Sequence, residues 1–282
     1  MTTLFTNVTA LLMDEGFATL RDGFVAVAGE KISYVGAERP VGDFDQTIDC
    51  TGKVMMPGFV NAHTHVPMTL MRGYGGGHDL QSWLQDFIFP AEDRWDDRAM
   101  AAATGLGLAE MIASGVTCIA DMYMRTGVIA KQVLDAGISA NLSVGAVYFG
   151  SPETFSPDKC EDCGNHIRLY EDWHNAGDGQ ILVDASIHAE YTSCAPVWKW
   201  VADFAREHAL GMHVHISETK KEHEECKSRY HGLTPIQLLD QYGVWDVRAI
   251  AAHCVYTAPE DWAVMARKGV SCVHNPYSNL KL

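Results

Sequence analysis

The sequence predicts an α/β chain: a (β/α)8 TIM-like barrel that lacks its eighth strand, preceded by a small N-terminal β module. Three observations lead there. Residues 1–57 break into short β pieces separated by Gly, Asp and Pro turn signals. Over 58–282, short apolar strands alternate with longer helical patterns, the mark of repeated βα units and a parallel sheet. Seven such strands can be counted, which invites a barrel of eight.

The β module is read from LFTNVTALLM, ATL, GFVAVAGEKISYVG and TIDCTGKVMM. The barrel strands are expected near 59–63, 116–121, 141–148, 181–188, 211–217, 249–254 and 270–275. Helix ends lie between them. Thr234-Pro235-Ile236-Gln237 is a capping box closed downstream by Gly243, and Thr257 to Glu260 is read as a second box with Gly269 past its end. Val197, Val201, Phe204, Ala205 and His208 form a stripe of helical period that would face the barrel wall. Lys220 to Arg229 reads as a solvated helix face or a loop without function. The least regular stretch, Gly150 to Gly179, connects the third and fourth strands, on the active face of a barrel.

Composition narrows the function classes. With 47% hydrophobic and 20% charged residues over 282 positions, the chain is an ordinary globular one, long enough for one large or two modest domains. A net charge of -15 argues against a nucleic-acid partner. The first thirty residues lack a signal-peptide pattern, and no stretch approaches a membrane span, so a soluble, cytoplasmic protein without a membrane partner is expected. Eight scattered cysteines in a domain that needs no staples read mostly as buried free thiols.

The sharpest chemical signal is His63-Thr64-His65 at a strand end. Residues i and i+2 of a strand point the same way, so both imidazoles converge as two ligands of one metal must. His188, His215, His253 and His274 each stand at or near another strand end, the face that holds catalytic groups in a barrel. Each alone reads as a core or capping histidine; the repetition favours a site. His213 shares a strand face with His215 but sits deeper and reads as structural. Glu218, three residues after His215, would take a proton from a water whose pKa zinc lowers towards about 7, or else cap the next helix. Cys160, Cys163 and His166 have the spacing of half a zinc site or a redox pair, with a plain surface loop favoured. The glycines of 72–77 lack a phosphate-loop lysine and read as a mobile active-site loop.

PGFVNAHTH, MTLMRGYGGGHDLQSWLQDFIFPAEDRW, HAEYT, HVHISET, AAHCV and HNPYSNLKL occur in this order across essentially the whole chain. The sequence resembles the metal-dependent amidohydrolase superfamily, and within it the methylthioadenosine/S-adenosylhomocysteine deaminases and their chlorohydrolase-like relatives. The resemblance implies one metal per subunit, Zn2+ or another divalent ion such as Fe2+, held by His63, His65 and His215. It implies that Glu218 shuttles a proton and His253 orients the water. Trp83 and Glu92 match positions that contact the nucleoside, Glu92 at the ribose hydroxyls, and His188 matches one that hydrogen-bonds the purine; read without the resemblance, Trp83 and Glu92 are helix packing and a surface charge. The implied reaction converts an adenosine analogue to the inosine analogue and ammonia, in a homo-oligomer. Deamination or dechlorination of a different heterocycle, or a truncated homologue that binds nucleosides without turnover, are the alternatives.

Two departures from the family pattern shape the expectation. The family places an aspartate ligand after the eighth strand, which this sequence does not reach by Leu282, and Asp121 is no substitute by motif. A fragment of a longer protein is therefore expected, with the β module as part of a composite sandwich. Members accepting S-adenosylhomocysteine use arginines between the third and fourth strands, whereas Gly150 to Gly179 is acidic and contains only Arg168. A neutral 5′ group, as in methylthioadenosine, deoxyadenosine or adenosine, is favoured; binding a carboxylate would need Arg125 or a residue from a neighbouring subunit.

Overall fold

The computed structural model describes residues 1–281 and divides into two compact units, Met1–Phe59 and a second from Val60 onward. In the first, β1 (Thr2–Leu11), β2 (Thr19–Ala28), β3 (Lys31–Gly36), β4 (Gln46–Asp49) and β5 (Val54–Met55) form one sheet. Its order is β3-β2-β1-β4, with β5 also on β1. The β1-β2 and β2-β3 pairs are antiparallel hairpins, while β4 and β5 run parallel to β1. Alternation along the strands turns Val8, Ala10 and Val25 onto one face with Cys50, where Phe5, Leu20, Ile48 and Met55 cover them. The register of β1 shifts between Phe5 and Val8, where Asn7 takes a left-handed φ of 56° as a bulge.

The second unit alternates strands and helices. Its strands are β6 (Phe59–Thr64), β7 (Val116–Met122), β8 (Ser139–Ser143), β9 (Ile181–Val183), β10 (Ala185–Ile187), β11 (Met212–Ile216), β12 (Ala249–His253) and β13 (Ser271–Val273). They form two four-stranded sheets, ordered β6-β7-β8-β9 and β10-β11-β12-β13. The pairings β7-β8, β8-β9, β10-β11, β11-β12 and β12-β13 are all parallel. An isolated parallel bridge from Ala146 to Ile187 links the two sheets. Ile119, Leu142, Ile181, Ile187, Val214 and Ala251 are fully enclosed, as expected for strands covered on both faces. Helix Ala195–Glu207 lays Val197, Val201, Phe204 and Ala205 into the same core, as its period predicts.

Four sequence expectations change. The strand near 141–148 stops at Ser143 because the chain turns at Gly145, whose φ is +72°. The strand near 181–188 is broken at Asp184, whose buried carboxylate accepts from Gly211 N at 2.9 Å and Arg248 at 2.6 Å. The box expected at Thr257 lies one residue later: Ala258 is the cap, and Asp261 accepts its N–H at 2.8 Å. The 220–229 stretch is a helix, Lys220–Arg229, and it is not wholly solvated, since Glu222, His223 and Cys226 are buried. The Thr234 box forms as expected, and Gly243 and Gly269 adopt left-handed φ of 75° and 65° past their helices. All eight cysteines are free, half of them buried. No helix among the described residues is long and apolar enough to cross a membrane.

Candidate active site

Parallel strands bring their C-terminal ends to one edge, and the histidines meet there. His63 is the penultimate residue of β6 and His65 follows the strand, with Thr64 between them so that both project to one side. Nε2 of His215, from β11, lies 3.1 Å from Nε2 of His63 and 3.1 Å from Nε2 of His65. Zn–N bonds of about 2.0–2.1 Å in a tetrahedral centre would separate two nitrogens by roughly 3.3 Å. His253, ending β12, completes the group, and His63, His215 and His253 offer ligand atoms within 4.8 Å of one another.

The opposite ring nitrogens are occupied. His65 Nδ1 donates to Met122 O at 2.6 Å and His215 Nδ1 donates to His188 O at 2.8 Å. Each carbonyl belongs to the neighbouring strand end, and each fixes a tautomer whose Nε2 keeps its lone pair. Burial, followed by mutual repulsion, holds His63 and His215 well below the usual imidazole range, and burial lowers His65 as well. The rings are therefore neutral, as ligands must be. This donor set, three imidazole lone pairs converging from two strand ends, fits a zinc-type ion.

Glu218 stands beside that cluster, with Oε1 3.3 Å from His253 Nε2. Burial and then the nearby Glu222 carboxylate push Glu218 up to about 8, well above the ordinary carboxylate range and towards the value of a group that exchanges protons near neutral pH. His253 Nδ1 donates to Asn279 Oδ1 at 2.8 Å, which leaves Nε2 as the acceptor. The loop carrying Glu218 is held from below. Helix Lys220–Arg229 is capped by Thr219, which accepts from Glu222 N at 3.1 Å, while the Glu222 carboxylate accepts from Ser217 N at 2.7 Å and Glu218 N at 2.8 Å. Ser217, His253 and Cys254 all take positive φ, at 51°, 78° and 50°, so strained backbone is concentrated where the two strands deliver the site.

A cavity of about 630 Å³ opens over these groups. Trp83, Glu92 and His188 line it, so all eight residues to which the resemblance gives a role reach one space. Trp83 donates Nε1–H to Tyr74 O at 3.0 Å, which fixes its ring at the rim. Glu92 is buried rather than a surface charge; Tyr123 donates its hydroxyl to it, and burial lifts Glu92 to about 7. Burial likewise lowers His188 to about 4, so it presents a neutral ring. The cavity wall includes Glu92, Asp93, Asp162 and Glu218 but no Lys or Arg among the described residues. Arg125 and Arg168 instead line a second cavity of about 370 Å³, where Arg125 pairs with Asp97 at 2.8 Å.

Other candidates separate from the site. His274 is exposed and accepts from Asn279 Nδ2 at 2.8 Å, one residue removed from His253. His166 is buried in the core, donating Nδ1–H to Asp162 O at 2.7 Å and accepting Ser186 N–H at 3.1 Å, which leaves neither nitrogen for a metal with Cys160 and Cys163. Those two cysteines are buried rather than part of a surface loop. In the glycine-rich segment, Gly75 takes a left-handed φ of 65° against Trp83 and Phe87, where a Cβ would come within 2.9 Å of both rings. Asp121 is enclosed in β7, where it accepts Val66 N–H at 2.7 Å. Reasoning from sequence missed Glu222, Tyr123 and Asn279. Only the first had a signal, since Thr219-x-x-Glu222 has the spacing of a capping box.

A model of the amidohydrolase family matches residues 54–282. The chain belongs to the amidohydrolase family. It is 37% identical over its whole length to a 5-methylthioadenosine/S-adenosylhomocysteine deaminase of Thermoanaerobacter pseudethanolicus, of which it covers 64%. It is 38% identical over 263 residues, 93% of its length, to a 5'-deoxyadenosine deaminase of Methanothermobacter thermautotrophicus, of which it covers 60%. Among solved structures, an adenosine deaminase from Xanthomonas campestris with bound zinc superposes with a TM-score of 0.86 at 30% identity, over 99% of this chain and 64% of that one. The chain thus spans under two thirds of the length of these relatives.

Proposed function

We propose that this amidohydrolase deaminates an adenosine analogue by metal-dependent hydrolysis, giving the inosine analogue and ammonia. The observation that carries the reading is the pair of 3.1 Å contacts from His215 Nε2 to His63 and His65, with Glu218 and His253 beside them under one cavity. The deaminase names of similar proteins favour a nucleoside over other heterocycles. We assign residues 58–282 to a catalytic (β/α)8 barrel without its eighth strand and residues 1–57 to a small β module that forms part of a composite sandwich; parallel strands alternating with helices support the first.

His63, His65 and His215 would hold one zinc ion. When bound there, zinc would supply Lewis-acid polarisation, lowering the pKa of a water towards about 7. Glu218 takes the water's proton and returns it to the purine ring nitrogen, while His253, fixed by Asn279, orients the water. His188 offers its neutral ring to the purine edge, Glu92 accepts from the ribose hydroxyls and Trp83 packs against the nucleoside. Attack of the water oxygen at the carbon bearing the amine forms the C–O bond; the second proton of the water then passes from the new hydroxyl through Glu218 to the amine, the C–N bond breaks, ammonia leaves and the carbonyl of the inosine analogue remains. The cavity's carboxyl groups, with no Lys or Arg among the residues that line it and Lys281 Nζ 5.5 Å from the centre of the Trp83 ring, favour a neutral 5′ substituent over the carboxylate of S-adenosylhomocysteine. Arg125 lines the other cavity and is tied to Asp97, which weakens it as a carboxylate partner.

The test supplies zinc to the purified protein and measures ammonia and chloride release from methylthioadenosine, deoxyadenosine, adenosine, S-adenosylhomocysteine and a chlorotriazine. Ammonia from the first three, faster than from the fourth, is expected. Chloride from the triazine with no nucleoside turnover, or nucleoside binding without turnover, would overturn the proposal.

A further inference from the structure

We propose that His213, which the sequence suggests is merely structural, is a positioning residue that locks His63 in the tautomer needed for metal binding. The inference rests on the metal site proposed above. His65 and His215 are fixed by main-chain carbonyls, but His63 has no such partner: its Nδ1 faces Nε2 of His213 at 2.9 Å. A contact between two imidazoles has no inherent direction, because either ring can donate. The surrounding groups supply the direction.

Ser143, buried at the end of β8, donates its hydroxyl to Asp121 O at 3.1 Å. With that proton committed, Ser143 Oγ has only lone pairs to offer His213 Nδ1, 3.4 Å away. His213 must then carry its proton on Nδ1, and its Nε2 accepts. His63 is left as the donor from Nδ1, which places its lone pair on Nε2, the atom that faces His215. A one-way relay from His63 through His213 and Ser143 to a backbone carbonyl thus does for His63 what single carbonyls do for the other two. His213 sits two residues before His215 on β11, so one strand supplies both a ligand and the partner of another ligand. Buried partners of this kind are worth about 10- to 100-fold in metal affinity.

The test uses zinc alone, so it does not depend on nucleoside turnover. Zinc affinity is measured by chelator competition for the parent protein, His213→Phe, which keeps the ring volume but removes the acceptor, and His213→Gln, whose amide can accept from His63 and donate to Ser143. A loss of about 10- to 100-fold in His213→Phe, with most of it recovered in His213→Gln, is expected. Parent-like affinity in a folded His213→Phe would overturn the inference. If His213→Phe does not fold, 15N spectra of the histidines in the metal-free parent decide: a His63 protonated on Nδ1 supports the relay, and one protonated on Nε2 refutes it. Failure of the parent to bind zinc would refute the metal site itself, while the His63 tautomer would still judge the relay.

Discussion

Oε1 of Glu218 lies 3.3 Å from Nε2 of His253, with both side chains under a tenth exposed. The two residues come from the ends of adjacent parallel strands, and each sits at or beside a residue of positive φ. The contact joins the group assigned to move protons with the group assigned to orient water. Glu218→Gln keeps the shape and removes the titratable oxygen. Deamination should fall by about 10²- to 10⁴-fold while zinc content, measured by metal analysis, stays at the parent level. Equal activity would refute the role.

Glu222 bears on the same loop through its backbone. Its carboxylate accepts from both the Ser217 and Glu218 N–H groups. Glu222→Ala strands these donors in a buried site, at a cost of about 1–3 kcal/mol each. Denaturant unfolding should show a midpoint shifted down with an unchanged m value. An unshifted midpoint would mean that the loop is held by other contacts.

Glu92 can be isolated by choice of substrate. Glu92→Gln keeps an acceptor and loses only the charge-assisted part of the bond, about 1–1.5 kcal/mol, so KM for adenosine should rise by roughly 5- to 10-fold. A 2′,3′-dideoxyadenosine substrate has no ribose hydroxyls to lose, and its KM should be unchanged. An equal rise for both nucleosides would move Glu92 away from the ribose.

The pH dependence of the metal-free protein follows from opposing groups. His63, His65, His188, His213, His215 and His253 are all lowered by burial, so the folded state binds fewer protons than the unfolded chain and stability is lost as pH falls below about 6.5. Glu92, Asp121 and Glu222 are raised to about 7 and Glu218 to about 8, again by burial. Each stabilises below its ordinary pKa of about 4, and that contribution is lost as pH rises through the folded value. The two effects oppose one another between about pH 4 and 6.5, and above that range only the carboxyl loss remains. The melting temperature should therefore peak near about pH 6.5 and decline towards about pH 8.5. A continued rise over that interval would show that these carboxyls are already ionised.

Local pattern carried much of the fold and site. Alternating apolar strands and capped helices were legible because hydrophobic period and turn chemistry are properties of a few consecutive residues. The helix at 220–229 was harder, since its charged sequence hides three buried positions that only its seating reveals. The break at Asp184 was hidden too, because its partners Asn141, Gly211 and Arg248 are remote in sequence.

The sequence by itself determined which residues stand at strand ends, and hence that His63, His65, His188, His215 and His253 share one edge of parallel sheets. It also determined the family, through motifs that retain their order along the chain. Only the tertiary structure decided what lies behind each ring. Met122 meets His65 across 57 positions, His188 meets His215 across 27 and His213 meets His63 across 150. The physical reason is register. A period of two assigns a side chain to a face, but which atom it meets depends on how neighbouring strands slide against one another, and that is settled by packing across the whole sheet.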